Sequence, residues 1–116
     1  MEESILMTVR KACQVPEWDD GFDQELIVHT NTILMRLTQL GVGPRTGFFI
    51  TGTQETWASF IGGSDEFKMV QSYVVLRVRL LFDPPSSSFV LESMKNQIAE
   101  FEWLLNVQAE GAFDDD

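Results

Sequence analysis

The chain has 116 residues and a mass of 13.2 kDa, which is enough for one domain with a single hydrophobic core. Its eighteen acidic residues against eight basic ones give a net charge of −10, which argues against a surface that grips DNA phosphates or an anionic membrane. One histidine and one cysteine exclude a disulfide framework, a Cys/His zinc site and a CxxC redox pair, and the lack of a long apolar run or a basic start predicts a soluble, cytosolic protein.

Two amphipathic helices are predicted in the N-terminal part of the chain. A short helix extends from Ser4 to about Cys13. A long helix begins with Asp20 as its N-cap and ends at Gly41, since glycine commonly terminates helices. Its apolar residues recur at helical spacing and therefore share one face: Phe22, Leu26, Ile33, Leu37 and Leu40.

A glycine-rich segment follows, and it holds six of the eight glycines between Gly41 and Gly63. Within it, residues 48–51 are predicted as a short strand or a β-like hook, and residues 55–60 as a helical turn. A connection of this length is typical of a functional or mobile segment. It does not match a nucleotide-binding loop, because its glycine spacing is wrong and the chain lacks a GK[ST] motif.

Two further long helices are predicted. The first opens near Ser64–Glu66 and is stopped by Pro84 and Pro85; its run YVVLRVRLLF would also suit a strand, but the length of about 18 periodic residues favours a helix. The second follows Ser86–Ser88 and closes at Asn106 or soon after. The fold class is therefore predicted to be all-α, a small helical bundle of one short and three long helices with a long Gly-rich loop between the first two long helices. We expect a single helical domain over residues 1–109 and an acidic tail over residues 110–116.

No catalytic constellation is found, and we predict that the chain is not an enzyme. His29 has no second histidine or cysteine near it, and Cys13 has no nearby base. Arg77 and Arg79 lie two positions apart on an apolar helix and point about 160° away from each other. At least one of them is expected to pair with a carboxylate, inside the domain or across a subunit contact. Aromatic residues outside the long helices either anchor an interface or plug the bundle ends: Trp18, Phe48, Phe49, Trp57, Phe60 and Phe113.

The order of these segments resembles the head–tail connector (adaptor) proteins of siphophages, the phage DNA-packaging family. The resemblance covers Ser4–Val107, and its most specific parts are the junction Leu76–Ser88 and the block Glu102–Val107. It is carried by the following stretches: DDGFDQEL, LTQLGVG, YVVLRVRLLFDPPSSSFV and EFEWLLNV.

The resemblance implies a structural virion protein that assembles in the host cytoplasm as a homo-oligomeric ring, typically a dodecamer. Such a ring docks under the portal, extends the DNA channel and receives a stopper or tail-completion protein; no cofactor, metal or membrane is implied. DNA passes through without sequence-specific binding, which acidic side chains facing the channel would favour. The portal contact carried over to this chain is the C-terminal tail: Glu110, Phe113, Asp114, Asp115 and Asp116. The contact with a stopper or a neighbouring subunit, expected at the opposite end, is the glycine-rich loop: Arg45, Phe48, Phe49 and Trp57.

Two other classes of protein remain as alternatives. A small acidic interaction protein or DNA-mimic regulator would suit the charge of −10. Such a mimic should carry its acids in phosphate-like rows on one face, whereas here most of them collect at two predicted helix starts and the tail. A small enzyme is disfavoured by the single histidine and cysteine.

Overall fold

A computed structural model describes residues 3–62 and 67–114. Within these ranges the chain forms five helices and no strand, which confirms the all-α prediction. The predicted start of the second long helix, at Ser64–Glu66, lies outside the described residues. The helices are the following: α1 Ile5–Ala12, α2 Asp23–Gln39, α3 Trp57–Ile61, α4 Phe67–Phe82 and α5 Ser88–Asp114.

The ends of α1 and α2 follow from local chemistry. The Ser4 hydroxyl accepts the Met7 amide at 3.3 Å and so caps α1. The predicted cap of α2 is wrong: the chain enters α2 at Phe22 without a side-chain cap, because Asp20 lies too far ahead of the first turn. α2 ends as predicted at Gly41, whose φ of 89° only glycine adopts without strain.

α4 ends at Phe82, just before the two prolines, as the sequence predicts. The predicted end of α5 at Asn106 is wrong, since the helix continues to Asp114 and passes residue 109 without a break. The residues after Asn106 include no proline, and one glycine costs a helix only about 1 kcal/mol.

The hydrophobic core lies around α4, which packs against all four other helices. This central position explains why α4 is apolar nearly all round. Helices α1 to α4 and the connecting loops contribute most of the largest fully buried side chains of the described residues, and Leu105 comes from α5: Ile5, Leu6, Val9, Leu26, Ile33, Leu34, Leu37, Ile50, Trp57, Val70, Tyr73 and Leu105.

The segment between α2 and α3 is anchored at both ends. The Asn31 side chain exchanges two hydrogen bonds with the backbone of Ile50, at 2.8 and 3.0 Å. Further along, an isolated β-bridge joins Ser4 and Thr56, and the Trp57 indole donates to the Thr8 hydroxyl at 3.0 Å. Residues 48–51 form no strand, and Asn31 of α2 holds them through the backbone of Ile50.

Candidate interaction surfaces

A polar junction joins α5 to the rest of the bundle. The Glu102 carboxylate accepts hydrogen bonds from the Tyr73 hydroxyl at 2.6 Å, from Arg77 Nη1 at 2.9 Å and from Arg36 Nη2 at 3.1 Å. Because these donors lie on α4 and α2, one carboxylate ties three helices together. We call these four residues the Glu102 junction.

The electrostatics of the Glu102 junction favour the ionised carboxylate. Burial opposes its ionisation, but hydrogen bonds from Tyr73 and Arg36 and the charges of Arg36 and Arg77 outweigh burial and lower the pKa of Glu102. Burial and the hydrogen bond to Glu102 raise the pKa of Tyr73 to about 12, and so the phenol stays protonated. The hydrogen bond to Glu102 raises the pKa of Arg36. Two guanidinium groups face one carboxylate, which leaves the junction with one net positive charge.

The two arginines singled out in the sequence occupy different environments. Arg77 belongs to the Glu102 junction and also stacks at 5.8 Å from the Tyr73 ring centre. Arg79 is exposed and acts electrostatically on Cys13. Burial raises the pKa of the Cys13 thiol, which therefore stays protonated and is a packing residue rather than a nucleophile.

The connection between α1 and α2 carries an exposed aromatic side chain among acids. Trp18 is 83% exposed, and Glu17 and Asp20 beside it are exposed as well. Asp23, at the start of α2, is already engaged, because Arg10 Nε donates to its Oδ1 at 2.8 Å and a second bond joins the same two side chains. The connection is thus fixed at its α2 end and presents Trp18 to solvent.

The predicted contact residues of the glycine-rich loop do not share one environment. Arg45 and Phe49 are at the surface, and Phe49 is 53% exposed. Phe48 is half-buried, with its ring 5.1 Å from that of Phe60. Trp57 is wholly buried in the core, so the partner contact predicted for it does not fit its position.

The predicted portal-contact residues fall at the end of α5. Residues Glu110, Phe113 and Asp114 lie on its last turns, whereas Asp115 and Asp116 lie outside the described residues. Earlier on the same helix, Leu105 is 2% exposed and belongs to the hydrophobic core.

Two features were missed by sequence reasoning. The sequence drew attention to Glu102 only as the first residue of the block Glu102–Val107. Its role as the partner of Arg77 depends on packing between α4 and α5. Trp103 is 65% exposed on α5. The sequence held a signal for Trp103, because it falls outside the helical spacing of the buried residues Met94, Ile98 and Leu105.

Across the described residues, no group of three or more histidine, cysteine or carboxylate side chains is placed to hold a metal ion. In the same part of the chain, no helix combines the length and apolarity that crossing a membrane requires. A groove of about 400 Å³ runs beside α1, lined by charged residues of both signs that include Arg10, Lys11 and Glu17.

The described residues form an acidic helical domain that exposes several large aromatic side chains, a surface typical of proteins that assemble with others. Comparison with protein families gives a more particular result, because a family model described as a phage connector protein matches residues 5–112. The chain belongs to this family, which confirms the resemblance to head–tail connectors and makes it a structural protein of the bacteriophage virion. No match was found among curated proteins or among solved structures.

Proposed function

We propose that the chain forms a homo-oligomeric ring under the portal, extends the DNA channel and receives the stopper protein on the far side. Membership of the connector family over residues 5–112 is the observation that carries this proposal. Ring closure needs two different surfaces on each copy, one for each neighbour. The molecule assembles in the host cytoplasm and resides at the head–tail interface of the virion.

The portal contact is assigned to the last turns of α5, with Glu110, Phe113 and residues 114–116. Two observations support this assignment. α5 continues for nine residues beyond the core residue Leu105 and reaches Asp114 without a break. A helix of 27 residues is about 40 Å long, whereas the 16 residues of α4, on which it packs, span about 24 Å, so α5 extends beyond α4.

The glycine-rich loop is assigned to the neighbouring subunit rather than to the stopper. Arg36, near the end of α2, contacts Glu102 in the second half of α5, so the loop starts from the same end of the bundle as the portal-contact turns. The expectation that loop and tail lie at opposite ends therefore lacks support. Arg45 and Phe49 are the surface residues that would make this contact.

DNA is proposed to pass through the ring without sequence-specific binding. The net charge of −10 on each copy supports this, because acidic walls repel phosphates and leave the duplex free to slide. Replacing channel-facing acids with lysine should slow DNA ejection, and unchanged ejection kinetics would contradict the proposed lining.

The test uses purified chain and purified portal rings of the same phage. We expect the full chain to bind the portal and to give a multimeric complex in native mass measurement. Removal of residues 110–116 should weaken that binding at least tenfold, and the truncated chain should keep its melting temperature. Equal portal binding by the two forms would overturn the C-terminal assignment, and no binding by the full chain would overturn the proposed function.

A further inference from the structure

One end of the bundle exposes large aromatic side chains. Trp18 and Phe89 are each 83% exposed, and Phe22 is 44% exposed. The Phe22 ring meets the ring of Phe82, the last residue of α4, edge-on at 5.4 Å, and α5 begins six residues after Phe82. The three exposed rings therefore belong to the end formed by the α1–α2 connection, the last turn of α4 and the first turn of α5. We call Trp18, Phe22 and Phe89 the aromatic end.

The surroundings of the aromatic end are acidic. The exposed basic residues at the end of α1, the end of α4 and the start of α5 are Lys11, Arg79 and Lys95, since Arg10 is committed to Asp23. More carboxylates than these lie on the same connection and at the end of α4: Glu17, Asp19, Asp20 and Asp83. A surface with exposed rings and an acidic rim is complementary to an apolar socket with a basic rim.

The aromatic end lies away from the portal-contact turns. The Arg10–Asp23 pair marks the start of α2, and the contact of Arg36 with Glu102 marks the other end of the same helix. Thirteen residues separate Asp23 from Arg36, which corresponds to about 20 Å along α2. Phe89 precedes Glu102 by the same number of residues on α5, so the start of α5 is also about 20 Å from the Glu102 junction along its helix.

We propose that the aromatic end docks a partner protein that offers an apolar socket rimmed by lysine and arginine. This inference rests on the proposed function, because the aromatic end would be the surface of the proposed ring that faces the tail. The aromatic end of a second copy is a poor occupant, since it would bring the same acidic rim, with Glu17 and Asp20, against this one. The same acids repel DNA and anionic lipids. Large exposed rings are the usual anchors of protein interfaces, and the acidic rim selects for a basic partner.

The experiment loads the connector onto portal rings, adds purified stopper protein of the same phage, and measures the stopper retained per connector. The aromatic variant, Trp18→Ser/Phe89→Ser, removes two of the exposed rings. The charge variant, Glu17→Lys/Asp20→Lys, reverses the charge of two acidic residues of the rim. Trp103→Ser and Glu100→Lys are matched controls, because both residues are exposed on α5 at least eleven residues after Phe89. All four substitution sets change surface residues, and thermal melting checks that they fold.

We expect each aromatic-end variant to load onto the portal and to lower the stopper-to-connector ratio at least tenfold. The controls should leave that ratio unchanged, and added salt should weaken wild-type docking. An unchanged ratio in the aromatic variant overturns the docking surface, and an unchanged ratio in the charge variant overturns the basic rim. If the aromatic variant instead prevents copies from assembling on the portal, the surface is a contact between subunits and the assignment is overturned. Failure of the wild-type chain to load would overturn the proposed function itself.

Discussion

The first four helices and α5 are stabilised in different ways. α1 to α4 share a core in which side chains such as Leu26, Trp57 and Tyr73 have no exposed surface. α5 packs chiefly on α4, where Met94 and Ile98 keep 7–8% of their surface exposed, and its link to α2 is the Glu102 junction. The packing of α1 to α4 therefore depends on apolar burial. The position of α5 depends in addition on a charged contact, the Glu102 junction.

The largest expected effect tests the apolar core. Trp57→Ala removes a wholly buried indole and its hydrogen bond to Thr8, and should lower the free energy of unfolding by about 3–5 kcal/mol. Phe49→Ala, in the preceding segment and 53% exposed, is the control and should cost less than about 1 kcal/mol. Urea denaturation measures both, and equal losses would contradict the description of α3 as a core element.

The next effect concerns the apolar seam of α5. Leu105→Ala should cost about 2–4 kcal/mol, because Leu105 is 2% exposed and belongs to the hydrophobic core. Val107→Ala, two residues on and 44% exposed, should change stability by less than about 0.5 kcal/mol. Similar losses for the two variants would mean that α5 turns a different face to α4.

A smaller effect tests the Glu102 junction. Glu102→Gln removes the charge that Arg36 and Arg77 share, and should cost about 1–3 kcal/mol at pH 7. Glu100→Gln, on the exposed side of the same turn, should be neutral within about 0.5 kcal/mol. If only Glu102→Gln lowers the free energy of unfolding, α5 depends on the charged contact as described. If Glu102→Gln lowers it no more than Glu100→Gln, the described difference between α5 and the other helices is wrong.

The pH dependence follows from the lowered pKa of Glu102. The folded state binds a proton at this carboxyl less readily than the unfolded state, whose pKa is about 4.3. The contribution of Glu102 is therefore fully present above about pH 4.3 and disappears as pH falls through the lower folded-state pKa. The stability difference between wild type and Glu102→Gln should shrink in this acidic range, whereas a constant difference would exclude this linkage.

The smallest expected effect is a gain inside the core. The Thr30 hydroxyl is buried without a hydrogen-bond partner, and Thr30→Val should raise stability by about 1 kcal/mol. Thr38→Val is the matched control on the same helix, because the Thr38 hydroxyl donates to the Leu34 carbonyl at 3.1 Å. Only the first substitution should raise the melting temperature.

The helices could be predicted from the sequence, because apolar spacing and helix-ending residues such as Gly41 and Pro84 act locally. Sequence reasoning missed the length of α5, since no glycine or proline lies between Asn106 and Ala109 to mark an end, and the helix continues through Gly111. It placed Trp57 in a partner contact because the glycines around α3 suggested an exposed loop. The burial of Trp57 depends on its distant partner Thr8. The Glu102 junction could not be predicted either, because Glu102 contacts residues that are 25 or more positions away in the sequence.

The uninterrupted length of α5 has a mechanical consequence. One helix connects the aromatic end to the C-terminal turns, and it contains no proline along its 27 residues. A rod of about 40 Å that tilts by about 5° moves its far end by roughly 3.5 Å. α5 can therefore act as a lever. A small tilt caused by a partner at the aromatic end would move the C-terminal turns by about the length of one side-chain contact.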